Sequence, residues 1–194
     1  MSTPGNPDTA PHPGDDDTPV ELVVLLNERG EPSGTEAKAS VHHTVAEGGT
    51  PLHLAFSCHV YGPDGRFLLT RRALGKKAFA GVWTNGFCGH PGVGESPAEA
   101  VERRAVQELG VPVRNVRDVL PGFRYRATDA GGVEENEICP VFRAVIETDP
   151  QPQADEVAEW AWVEVADLTA ALAAVPEVFS PWLVEQWQQG AFEG

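Results

Sequence analysis

The stretch that decides the fold is residues 84–111, TNGFCGHPGVGESPAEAVERRAVQELGV. Ser96, Pro97 and Glu99 spell a capping box with proline at the first helical position, and Gly110 follows Leu109 as a C-terminal stop. The run between them therefore predicts a helix. Cys88 and His90 sit just ahead of it in a glycine-rich loop, the kind of junction that often carries chemistry. Within the helix Arg104 and Glu108 are four apart and share a face.

Working outward, ELVVLLN (21–27) reads as a strand with NERGEPSG as its turn. LHLAFSCHVY (52–61) alternates, with Leu52, Leu54, Phe56, Cys58 and Val60 on one face, and predicts a half-buried strand. YGPDGR turns it into RFLLTRR. GFRYRAT and ENEICPVFRAVIE flank DAGG as a second hairpin, and EWAWVEV is a further strand. Residues 165–174 read as a helix, and Ser180-Pro181 starts another before WLVEQWQQ. Strands mixed with a few helices fit a single α/β (α+β) sandwich, a mixed β-sheet flanked by helices.

The chain of 194 residues suits one domain with a tail. Residues 1–20 are rich in Pro, Gly, Asp and Thr and read as a disordered acidic arm, leaving 21–194 as the folded domain. There is neither a secretory signal nor an apolar run of membrane-spanning length, so a soluble, cytoplasmic protein is expected. Three widely spaced cysteines, Cys58, Cys88 and Cys139, are read as reduced thiols. The net charge of -15 argues against nucleic acid and anionic membranes as partners. Between Asp64 and Glu95, however, there is no acidic residue, while Arg66, Arg71, Arg72, Lys76 and Lys77 fall there. That patch is either a solvated hairpin face or an anion site.

Five of the six histidines lie between residues 42 and 90. If residues 133–142 form a strand, Glu135 and Glu137 share one face, and two such carboxylates need a cation between them or a raised pKa. Imidazoles and carboxylates together suit a divalent transition ion such as Zn²⁺ or Mn²⁺.

Gly89, Glu95, Arg103 and Glu108-Leu109-Gly110 fit the spacing of the Nudix box, although Arg104 and Gln107 stand where that box has glutamate. More specifically, LHLAFSC, LLTRRALGKKAFAGVWTNGFCGHP, FRYRATD, ENEICPVF and FSPW, in this order, closely resemble type 1 isopentenyl-diphosphate isomerases, which have the Nudix fold. The resemblance covers roughly residues 21–185. It implies a 1,3-allylic shift interconverting isopentenyl and dimethylallyl diphosphates, with Cys88 and Glu137 as the acid/base pair, Tyr125 supporting protonation, and Trp182 facing the cationic intermediate.

It further implies a transition metal, Mn²⁺ or Zn²⁺, on His42, His53, His90, Glu135 and Glu137, with His42 preferred to His43 because Lys38 to His42 keeps the family's spacing. Mg²⁺ would arrive with the substrate diphosphate and meet Glu108. Lys38, Arg72, Lys76 and Arg104 would bind the anion. A small prenyl diphosphate is then the partner, and a monomer the expected state. Two other functions compete: a Nudix hydrolase of a diphosphate, and a non-catalytic metal-binding domain. Trp182 also has a plain alternative as a core residue at the start of a helix.

Overall fold

The structure is a computed structural model, described here over residues 20–192. The expected arm at 1–20 lies, except for Val20, outside the described residues. In chain order the strands are β1 (Leu22–Leu26), β2 (Pro32–Ala37), β3 (His53–Leu54), β4 (Phe56–Tyr61), β5 (Phe67–Arg72), β6 (Trp83–Thr84) and β7 (Phe87–Gly89). Helix α1 (Pro97–Leu109) follows, then β8 (Arg114–Leu120), β9 (Arg124–Thr128), β10 (Glu134–Ile138), β11 (Val141–Val145) and β12 (Val157–Val163). Helices α2 (Val165–Ala174) and α3 (Pro181–Gln188) close the chain. One sheet has the order β2-β1-β3-β10-β9. The other runs β12-β5-β4-β11-β8, with β6 attached to β5 and β7 to β4.

Two segments cross from one sheet to the other side by side, and this arrangement positions the site. The expected strand 52–61 is interrupted at Ala55, so His53 and Leu54 belong to the first sheet and Phe56 to Tyr61 to the second. The expected strand ENEICPVFRAVIE divides in the same way at Cys139-Pro140, into β10 and β11. The two segments stay parallel through the crossing: His53 pairs with Glu137, Ala55 N–H donates to Ile138 O at 3.0 Å, and Ser57 pairs with Val141. Pro140 has no N–H to give a ladder, which suits it to the break.

The alternation in 52–61 predicted a half-buried strand, but every residue of β4 is buried. Both faces of its sheet are covered. Phe56, Cys58 and Val60 pack with Ala100, Val101, Ala105 and Leu109 of α1. On the opposite face Tyr61, Phe67 and Val141 pack with Leu168, Leu172, Trp182 and Leu183 of α2 and α3. Burying a side chain the size of Leu109 stabilises by about 1.5–3 kcal/mol.

The predicted bounds of α1 hold. The Ser96 side chain accepts from Glu99 N, the reciprocal capping bond is present, and Gly110 ends the helix at φ 68°. A Cβ on Gly110 would lie 2.5 Å from Gln151 O, so both conformation and space demand glycine there. Two further points depart from the sequence reading. The turn after β1 is tighter than NERGEPSG: Asn27 Oδ1 accepts from Arg29 N and Glu31 N, and β2 already begins at Pro32. Strand β8 was not anticipated, because RNVRDVL is a mostly exposed, charged edge strand without apolar alternation.

Candidate functional site

The crossing brings chemistry-bearing residues to one wall. The register of β10 sets Glu137 between His53 of β3 and Tyr125 of β9. On the second sheet β7 pairs with β4 so that Cys88 lies opposite Ser57, and His90 follows as the chain leaves β7. Trp182 comes from the first turn of α3, whose Ser180 side chain caps the helix by accepting from Leu183 N. A cavity of about 570 Å³ is lined by Cys88, Tyr125 and Trp182 together with His42, His90, Glu135 and Glu137. Lys38, Arg72, Lys76, Lys77 and Arg104 line it too.

The ligand atoms of His42, His53, His90 and Glu137 all lie within 4.8 Å of one another. Glu137 Oε1 is 3.3 Å from His53 Nε2 and 3.5 Å from His90 Nε2. Neither contact has hydrogen-bond geometry, so both buried Nε2 atoms lack a partner, as does His90 Nδ1. His53 Nδ1 is 2.9 Å from Pro51 O. A proton there leaves the Nε2 lone pair facing the cluster, the arrangement that orients metal-binding histidines. Glu135 stands next to this group, with Oε2 2.9 Å from His42 Nε2. Orphaned, converging imidazole nitrogens beside carboxylates fit a divalent metal ion. His43 points elsewhere, 3.4 Å from Glu36.

Protonation states differ sharply across the cavity. Burial pushes the Cys88 thiol up to about 11, against the smaller opposing effects of Ser57 and Asn85. Burial likewise holds the Tyr125 phenol well above its ordinary value. Burial would also raise Glu137, but when the facing nitrogens of His53 and His90 carry protons the two rings outweigh it and hold the carboxyl well below the usual range, and a divalent cation in their midst would act in the same sense. A neutral thiol thus shares the cavity with a carboxylate. Environments that push two groups apart in this way are a physical basis for acid/base roles. Trp182 is 2% exposed, sits 5.3 Å from Phe79 and 5.6 Å from Tyr125 between ring centroids, and has the Arg72 guanidinium 5.5 Å from its own. It is both a packed and a cavity-lining residue.

The cationic end is already tied to carboxylates of the chain. Lys38 Nζ is 2.9 Å from Glu21, and Arg104 reaches Glu21 at 3.6 Å and Glu156 at 3.4 Å. Lys76 pairs with Glu156. Arg104 Nε donates to Glu108 at 2.8 Å, the pair that helix spacing suggested. Glu108 itself lies behind Arg104 and is not among the residues lining the cavity. Arg72 donates to Ala78 O at 3.0 Å.

Glu21 and Glu156 were not singled out from the sequence, and their pairing partners are too distant along the chain to leave a local pattern. Glu134, neighbour to the two carboxylates that were, faces the other way: it accepts from Thr50 N at 3.0 Å and from Arg126 Nε at 2.8 Å. Asn85 was missed as well, and a single buried amide carries no sequence signal.

The NUDIX domain profile matches residues 51–183. Among solved structures, one from Deinococcus radiodurans superposes with a TM-score of 0.65 at 18% identity, covering 87% of this chain and 98% of that one. The MutT protein of Methanosarcina mazei Go1 gives 0.55 at 20% identity over 72% of this chain and 92% of its own. At these identities the likeness concerns the fold. The isopentenyl-diphosphate Delta-isomerase of Kocuria rhizophila is 58% identical over 88% of this chain and 93% of its own length. That of Klebsiella pneumoniae (strain ATCC 700721 / MGH 78578) is 49% identical over 84% and 87%. With that identity extending over nearly the whole described fold, the chain belongs to the isopentenyl-diphosphate Delta-isomerase family of NUDIX-domain proteins.

Proposed function

We propose that this chain interconverts isopentenyl diphosphate and dimethylallyl diphosphate. A proton is added to the terminal methylene, the double-bond electrons leave a tertiary carbocation, and a proton is lost from the carbon nearer the diphosphate. The observation that carries this reading is one cavity in which a neutral thiol, an ionised carboxylate, an indole and a set of cations meet. Cys88 and Glu137 are the acid/base pair: one gives a proton as the other takes one, and the reverse reaction exchanges the roles. The phenol of Tyr125, opposite Glu137 in the register and held protonated, supports the transfer. The buried indole of Trp182 offers its face to the carbocation.

His42, His53, His90, Glu135 and Glu137 would hold one Mn²⁺ or Zn²⁺, which when bound supplies a fixed positive charge beside the Glu137 carboxylate. Lys38, Arg72, Lys76 and Arg104 would bind the diphosphate, and Glu108, which Arg104 holds in the free protein, would be the protein carboxylate for a Mg²⁺ arriving with it once Arg104 turns to the anion. A hydrolase would need a cluster of carboxylates to activate water, and Arg104 and Gln107 occupy two of those positions. Among the described residues no helix is long and apolar enough to cross a membrane, which supports a cytoplasmic enzyme.

Incubation with isopentenyl diphosphate and Mg²⁺, followed by NMR, tests the reading. Dimethylallyl diphosphate is the expected product, and release of phosphate without it would overturn the proposal.

A further inference from the structure

We propose that Asn85 is a positioning residue for the isomerisation, one whose carboxamide fixes the Trp182 indole relative to the Cys88 thiol. This rests on the isomerase reading. Asn85 is fully buried between β6 and β7 and is not among the residues lining the cavity, so whatever it does is done through its neighbours. Its Nδ2 donates to two backbone carbonyls, Cys58 O at 3.0 Å and Phe87 O at 2.9 Å. Both amide hydrogens are thereby committed, and the direction of Oδ1 is set. That oxygen accepts from Trp182 Nε1 at 3.0 Å and from Thr84 Oγ1 at 3.0 Å. The Cys88 sulfur lies 3.6 Å from Oδ1 and 3.5 Å from Nδ2. One planar group therefore touches both the indole and the thiol.

The mounting is rigid. The two carbonyls belong to residues paired with each other in the β4–β7 ladder. Thr70 Oγ1 donates to Asn85 O at 2.7 Å. Gly86 lets the turn press onto β4, since a Cβ there would lie 2.5 Å from Val60 Cγ2. Asparagine suits the position because the site demands two donors and an acceptor from one short planar side chain. Aspartate would leave both carbonyls without donors, and alanine would leave the indole N–H unpaired. An indole free to turn presents its face to a developing cation only part of the time. The loss then falls on the transition state rather than on the neutral substrate.

The test is a double-mutant cycle of Asn85→Ala and Trp182→Phe, with kcat, KM, metal content and Tm measured on all four proteins. Asn85→Ala is expected to lower kcat about tenfold, with KM and metal content within about twofold of wild type. In the Trp182→Phe background, where there is no indole N–H to hold, the same substitution should cost at least threefold less. Equal factors in the two backgrounds, a change confined to KM, or wild-type kcat per folded molecule would overturn the proposal.

Hydrogen exchange of the wild-type protein gives a reading that does not depend on any variant folding. The indole N–H signal identified by its loss in a Trp182-substituted spectrum should be strongly protected, and rapid exchange would refute the buried bond. If the wild type makes no dimethylallyl diphosphate, the isomerase reading fails first. If it does and the cycle shows no coupling, only the role of Asn85 fails.

Discussion

Replacing Trp182 by leucine separates catalysis from packing, because the indole is packed against other rings and is also the face proposed for the carbocation. At 2% exposure the ring is desolvated, so a cation–π contact with the carbocation falls at about 2 kcal/mol, or roughly thirtyfold in rate. The neutral alkene has no such attraction, so KM should stay nearly constant while kcat falls at least about tenfold. Packing is charged separately: leucine loses the ring contacts to Phe79 and Tyr125 and leaves a void, at about 2–4 kcal/mol. For a chain of this size that corresponds to a fall in Tm of about 10 °C. Trp182→Phe keeps a weaker ring face and should lie between in both measures. Steady-state kinetics normalised to folded protein, with thermal melts, provide the assay. If Trp182→Leu melts early yet turns over at the wild-type rate per folded molecule, the ring is a core residue and the carbocation is stabilised elsewhere.

Cys88→Ala should fold and hold metal while losing about 10²-fold or more in turnover, whereas Cys58→Ala, on the core face of β4, should keep its turnover; near wild-type activity in the former would reassign the proton. If the proposed ligands hold a transition ion, elemental analysis should find it in the purified wild type and not in His90→Ala, and full occupancy in the variant would refute the ligand assignment. Glu134→Gln should leave kcat unchanged and lower stability by about 1–3 kcal/mol, since it disturbs the bonds to Thr50 and Arg126. The Arg126 bond holds the Glu134 carboxyl below its ordinary value of 4.5. Its stabilisation is therefore fully present above that pH and is lost as pH falls through the lower folded value. Denaturation of the wild type and the variant should converge in that acid range, and a constant difference would refute the account.

What the sequence disclosed depended on whether the governing interactions are local. Helix α1 was readable to its ends because its caps lie within a few residues of the groups they satisfy. The crossings at Ala55 and Pro140 were not: the apolar alternation of 52–61 runs on through Ala55, the apolar run 138–142 continues through Pro140, and at both places it is the sheet partner that changes. Strand β8 is held by its pairing to β11 and has little apolar content of its own to announce it. At the site, adjacent glutamates and clustered histidines were conspicuous by residue type, and the resemblance sorted them. Glu21 and Glu156 carry no such mark, because an ion pair across 52 residues of chain, as between Arg104 and Glu156, is a product of the fold.

The carboxylates on the cationic end make that end resemble a loaded ion exchanger. Lys38, Arg72, Lys76, Lys77 and Arg104 stand with Glu21, Glu108 and Glu156, so three carboxylates already offset much of the charge of five cations before any ligand arrives. A monovalent anion entering would trade one counter-ion for another and gain little. A diphosphate ester carries no more negative charge than the three carboxylates it would displace, and its entry strands those carboxylates without partners in a partly buried place. A divalent cation arriving with it supplies both shortages at once. Anion and cation should therefore bind as one event, each weak without the other. The same internal pairing predicts that the free protein binds chloride and simple phosphate weakly.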